Sequence, residues 1–213
     1  MIRFAFRWLF RLLVVAIVAA AAAFLAKDIL LREWALYRLR KVTGLETHLD
    51  SARAGLFTGT ITLTDLRLYN SAEFGGGLLI SVPDLHLEID GDALPRRELR
   101  LKLGRLHIDE FNVVRNREGR TNIFELMETA RERAGVLDAL TVGAPGLEFT
   151  GIETLNLTLG TARFIQIGDP RATREFRVGV TNEIVHDVRS TSDLTPLLLK
   201  VVFREIGRGF QSR

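Results

Sequence analysis

With 213 residues and no cysteine, the chain is long enough for one domain with a real core, and it excludes structural disulfides, thiolate zinc sites and thiol catalysis. Its formal charge of +3 is unevenly spread: residues 1–41 hold eight Lys/Arg against two Asp/Glu, residues 194–213 hold four against one, and the body between holds 17 against 23. The high pI therefore comes from the two ends, and the acidic body lacks the clustered basic face with interleaved aromatics that nucleic-acid binding uses.

The first element is apolar. Leu12 to Ala26 carry no charge, and these fifteen residues make about 22 Å of helix against a bilayer core of roughly 30 Å. If Arg7 and Arg11 snorkel, Trp8, Leu9 and Phe10 join the span, which then runs through Trp8, Leu12, Val15 and Phe24, with Phe4 and Trp8 near headgroup depth. The alternative is a cleaved signal peptide, with Arg3, Arg7 and Arg11 as its basic region and small-residue sites around Ala21 and Ala23. Helical periodicity continues past those sites. Ile29, Leu30, Trp34, Tyr37 and Val42 line one side of a helix that ends at Gly44, which favours a retained anchor. The expected organisation is an anchor over 1–27 and a single domain over 28–213. Cations flank the span on both sides, so positive-inside counting is nearly balanced; the reading adopted puts the short tail inside and the domain outside.

In the body, three stretches share the spacing apolar-x-apolar-x-x-apolar-x-apolar: Ile61, Leu63, Leu66, Leu68; Ile80, Val82, Leu85, Leu87; and Leu101, Leu103, Leu106, Ile108. Period-two alternation predicts strands with one apolar face, and an extra residue midway would flip the second half unless a bulge absorbs it. A bulge at Asp65, Pro83 or Gly104 keeps each row on one side and bends the sheet. A helix is expected from Asn122 to Leu140, capped by Thr121 or Asn122, with Phe124, Met127, Ala130, Ala134, Leu137 and Leu140 as its apolar stripe. Leu155, Leu157 and Leu159 resume the alternation, and "ARFIQIG" and "EFRVGVTN" read as shorter strands. A last helix is expected after Ser192 or Asp193, with Pro196 in its first turn. There Lys200, Arg204 and Arg208 form a basic stripe beside Leu197, Leu198, Val201 and Val202. The expected class is α+β: an N-terminal transmembrane helix, then a curved, mainly antiparallel sheet of about nine strands, ~40 Å wide, with helices packed against it.

Three leucine rows are the candidate binding surface: Leu85, Leu87, Ile89; Leu99, Leu101, Leu103; and Leu155, Leu157, Leu159. They either floor a lipid groove or form an ordinary core beneath the helices. Lys200, Arg204 and Arg208 either contact anionic headgroups or simply complement a helix C-terminus. His48-x-Asp50, His86-x-Glu88 and His107-x-Asp109 set imidazole beside carboxylate, but the same alternation places them on the solvated side, so no metal site is assigned; His186-Asp187 lacks even that geometry. Gly75–Gly77 have no following Lys-Ser/Thr, and no G-x-S-x-G elbow occurs. Asn156-Leu157-Thr158 matches a glycosylation sequon inside an expected strand and reads as coincidence. No catalytic residue and no cofactor is assigned, and an enzyme is not expected.

The stretch "VTGLETHLDSARAGLFTGTITLTDLRLYN", followed by "LLISVPDLHLEID" and "RRELRLKLGRLHIDEFNVVRNREGRTN", resembles the N-terminal module of AsmA-type bacterial envelope proteins. The marks are Thr58-Gly59 before the first long strand, Asn70 near its end, and the turn Asn116-x-x-Gly119-x-x-Asn122; the likeness covers about residues 1–125. It implies a single-pass inner-membrane anchor, a periplasmic domain, membrane lipids as partners, and acyl chains held along the apolar floor of a curved sheet. The long repetitive body and C-terminal region of that family have no counterpart here. The competing reading is a structural or assembly factor whose same surface binds another envelope protein or a second copy of the chain.

Overall fold

The computed structural model describes residues 26–55, 57–132, 147–189 and 193. The expected anchor, with Trp8, Leu12, Val15 and Phe24, lies outside the described residues. So do residues 133–140 of the expected middle helix and the basic stripe Lys200, Arg204, Arg208. Among the described residues, no helix is long and apolar enough to cross a membrane.

The chain enters as helix α1 over 26–43, and six strands and a second helix follow: β1 (Thr47–Gly55), β2 (Thr60–Tyr69), β3 (Leu78–Ile89), β4 (Glu98–Arg115), α2 (Asn122–Glu132), β5 (Glu148–Gln166) and β6 (Arg174–Val188). The strands lie side by side in chain order in one sheet. All neighbours are antiparallel except β4 and β5, which run parallel. Antiparallel neighbours need only a short turn, whereas the parallel step requires a crossover, and α2 begins that crossover. The sheet is therefore mixed, and long strands replace the larger number expected. "GIETLNLTLG" and "ARFIQIG" are one 19-residue strand, because Gly160 does not end it. It lets β5 run close past β4: a Cβ there would stand 2.4 Å from the Asp109 carbonyl oxygen.

The shared spacing has a common structural cause. Leu63 pairs with Leu85 and Leu66 with Val82, so Asp65 faces Pro83; Leu49 pairs with Leu66 and Ser51 with Thr64, so Asp50 faces Asp65. Three strands take their extra residue in one row, with Asp65 left-handed at φ 52°, and the pairing register is undisturbed. The apolar side chains stay on one side: Leu49, Ala52, Leu66, Leu68 and Val82 are buried in one cluster with Leu63 and Leu85 against it.

The expectation for β4 needs correction. Gly104 is not the flip that unites Leu101, Leu103, Leu106 and Ile108. Gly104 pairs with Leu87 and Leu106 with Leu85, while Leu103 pairs with Glu88, and paired residues share a side. Leu103 therefore projects with Glu88 and Thr154 to the polar side. The register breaks between Glu88 and Ile89, which returns Leu101 to the apolar side opposite Ile89.

A second finding concerns α1. The apolar line read along one side of it faces outward for the most part: Ile29, Leu30, Trp34 and Tyr37 are exposed. Leu31, Ala35, Leu36 and Leu39 face the sheet, and Val42 is buried. The same holds for α2, where Phe124 is exposed and Ile123 and Leu126 pack inward.

Polar side chains of α1 also satisfy the free edge of β1. Lys27 Nζ donates to the Ala54 carbonyl at 2.8 Å, and the Ala54 N–H donates to Asp28 Oδ1 at 3.2 Å. Arg32 Nε reaches the carbonyls of Leu49 (2.8 Å) and Asp50 (3.0 Å), and Arg40 that of Thr47 (3.0 Å). An uncovered edge invites strand addition, and these bonds close it. β6, at the other edge, is interrupted by left-handed Gly179, Asn182 and Asp187, which break its flat run of backbone donors and acceptors.

Candidate functional site

Eight of the nine candidate residues belong to the apolar side or its buried margin. Leu99, Leu101, Leu155 and Leu157 are buried. Leu85, Leu87, Ile89 and Leu159 are half-buried, and so is Leu103 on the opposite side. Leu155 and Ile152 flank Gly104, whose missing side chain leaves them room; a Cβ there would meet Leu155 Cδ1 at 3.3 Å and Ile152 Cγ2 at 3.5 Å. The face carries residues the candidate rows omit. Leu106 pairs with Leu157 and Ile108 with Leu159 across the parallel β4–β5 seam. Val178, Val180 and Val185 of β6 complete it. The signal for the valines was weak because the left-handed Asn182 breaks their alternation.

Two apolar clusters divide this face. The first joins α1 and α2 to β1, β2, β3 and the middle of β4. The second is built by Leu157 and Val180 with Leu106, Leu159, Val178 and Val185, all strand residues from β4, β5 and β6. Leu106 belongs to both, so the two are continuous. Among the described residues, helices pack on the first half of the sheet and not on the second cluster.

The opposite side is polar. Thr62 Oγ1 lies 2.8 Å from His86 Nδ1, and His86 Nε2 lies 3.6 Å from the Glu88 carboxylate. Arg105 pairs with Asp84 at 3.2 Å. His107 pairs in register with Asp84 and Thr158, and His186 with Thr154. The imidazoles are thus spread along a solvated ladder, and among the described residues no three His, Asp or Glu side chains converge on a metal-sized site.

The asparagines are where the fold invests its buried polarity. Asn70, Asn112, Asn116 and Asn122 are all buried. Asn122 Nδ2 donates to Asn70 Oδ1 and to the Asn112 carbonyl, both at 2.8 Å, and its Oδ1 accepts the Val114 N–H at 2.9 Å. Of the two cap candidates, Asn122 is therefore a tie between β2, β4 and α2, and Thr121 stands just before the helix. The Glu125 N–H donates to the Thr121 carbonyl at 3.3 Å. Asn70 and Asn112 both donate to the Leu78 carbonyl, at 3.3 and 2.9 Å. Asn116 holds the turn: its Nδ2 donates to Glu73 at 2.6 Å, and its Oδ1 accepts the Arg120 N–H at 2.8 Å. Gly119 supplies the φ of 86° that lets the chain double back. Arg120 meets Glu73, Glu118 and Glu125, and the Glu73 carboxylate above all holds its guanidinium higher than the ordinary arginine value. At the other end, Gly59 turns β1 into β2 at φ 64°, and its carbonyl accepts the Ile89 N–H at 2.9 Å. The motifs behind the family resemblance are thus joints of the fold; no ligand-facing role is needed to account for them.

No family model, curated protein or solved structure matches the chain.

Proposed function

We propose that this chain is a membrane-anchored, non-enzymatic envelope protein of the AsmA type that binds or passes lipid along the apolar side of its sheet, with its domain in the periplasm. One observation carries the reading: among the described residues, the second apolar cluster, Leu157 and Val180 with Leu106, Leu159, Val178 and Val185, is made of strand residues alone and runs on from the helix-covered half. A row of aliphatic side chains across adjacent strands suits an acyl chain, which gains about 0.8 kcal/mol for each methylene removed from water. On this reading cargo is held by shape and apolarity. The polar ladder on the reverse side keeps that side wet.

The test is native mass spectrometry of the full chain released from membranes in mild detergent. Lipid should travel with the wild type and with Asn156→Glu, a charge added on the polar side. It should be lost from Leu159→Glu, a half-buried position on the apolar side, with far-UV circular dichroism confirming that each variant is folded. A lipid-free wild type, or equal loss from both variants, refutes the proposal.

A further inference from the structure

Helix α1 has two apolar sides, and the sheet uses one. On the other, Ile29 and Leu30 are each 66% exposed, Tyr37 61% and Trp34 40%. Leu30, Trp34, Tyr37 and Lys41 follow i, i+4, i+7, i+11 and so form one stripe, flanked by Ile29. The stripe is edged with cations: the Arg38 guanidinium stands 5.5 Å over the Trp34 ring and the Lys41 ammonium 5.8 Å over the Tyr37 ring. Of the five Lys/Arg over 26–43, Lys27, Arg32 and Arg40 bond to the β1 edge, and Arg38 and Lys41 stand with the outer stripe.

We propose that this outer side of α1 lies in the headgroup layer of an anionic bilayer, so that the helix is sandwiched between the sheet and the membrane surface. Trp and Tyr with apolar bodies and polar tips prefer that layer, and lysine and arginine heads match its negative charge. The uncharged stretch Leu12–Ala26 ends just before the stripe begins, which brings the start of the helix to the membrane. The orientation is specific. The headgroup layer is only about 5–7 Å deep on each side, whereas Leu30 to Tyr37 span about 10 Å along a helix axis. A helix standing on end would lift Tyr37 clear, so with the whole stripe in that layer α1 lies along the surface, at an angle to the span it follows. The inference rests on the membrane-anchor reading of residues 1–27.

The chain has two tryptophans, so two variants report separately. The full chain is reconstituted into phosphatidylethanolamine/phosphatidylglycerol vesicles containing lipids brominated at shallow or deep acyl positions. In Trp8→Phe, Trp34 emission should fall about twofold with shallow bromines and little with deep ones, as for a side chain at the interface. In Trp34→Phe, Trp8 reports whether the anchor is inserted. If Trp8 is quenched while Trp34 is untouched, the anchor stands and the surface-lying helix is overturned; the stripe then belongs to a protein partner or to solvent. Quenching of Trp34 mainly by deep bromines also overturns it. If neither tryptophan is quenched, the anchor reading falls with it.

Discussion

Replacing Asn122 by leucine keeps the side chain near its size while removing its amide from the joint of β2, β4 and α2. Three groups lose a partner: the Val114 N–H, the Asn112 carbonyl and Asn70 Oδ1. Each buried polar group left unsatisfied costs about 1–3 kcal/mol. A cavity of about 180 Å³ lined by Asn70, Phe74, Leu79 and Asn122 adjoins the joint and has room for water that re-satisfies part of the loss. The lower half of the range therefore applies, and the net destabilisation is about 3 kcal/mol. Against a total stability of about 5–15 kcal/mol this is large, and at this chain length it lowers Tm by roughly 6–12 °C. The assay is urea unfolding of the full chain in detergent, followed by far-UV circular dichroism, with the m-value checked for constancy. A double-mutant cycle with Asn70→Ala should return a coupling of at least about 0.5 kcal/mol, because the two amides bond directly. A loss below about 1 kcal/mol for Asn122→Leu would be no more than an average substitution costs and would refute the claim that these asparagines hold the joint.

Two further outcomes test the sheet and its edge. Gly160→Ala drives a Cβ against the Asp109 carbonyl, a backbone atom that cannot swing aside, so a loss of about 2–3 kcal/mol is expected in the same unfolding assay; wild-type stability would show that β4 and β5 are not in close approach there. Asp28 is held below its ordinary carboxylate value of 3.8, first by the hydrogen bond from Lys27 and then by that from the Ala54 backbone. A depressed carboxylate stabilises the fold above its ordinary value, and that contribution disappears as pH falls through the lowered one. Wild type should therefore exceed Asp28→Asn in stability at neutral pH, with the gap closing below pH 3.8. A gap that stays constant with pH would mean that Asp28 does not help clamp α1 to the β1 edge.

Much of the architecture could be read from one dimension. Alternation marked β2, β3 and β4, and the repeated extra residue located the shared kink at Asp65 and Pro83. It also assigned the histidines and carboxylates to the wet side. These are properties of the backbone period, which each strand carries alone. The joints were visible only as isolated marks. Nothing local to Asn70 and Asn122 says that they meet, nor to Asn116 that it reaches Glu73, because these partners lie on other elements.

What tertiary structure decided is which of two chemically similar sides is buried. Helix α1 has apolar residues on both, and only the arrival of Leu49, Leu66 and Leu68 chose Leu36 over Trp34. Leu103 follows the leucine pattern, yet pairing with Glu88 puts it on the polar side, since register is set between strands and not within one. Phe124 yields to Ile123 and Leu126 for the same reason. Periodicity determines which residues travel together along one element; burial is a relation between two elements, and it exists only once the chain has brought them into contact.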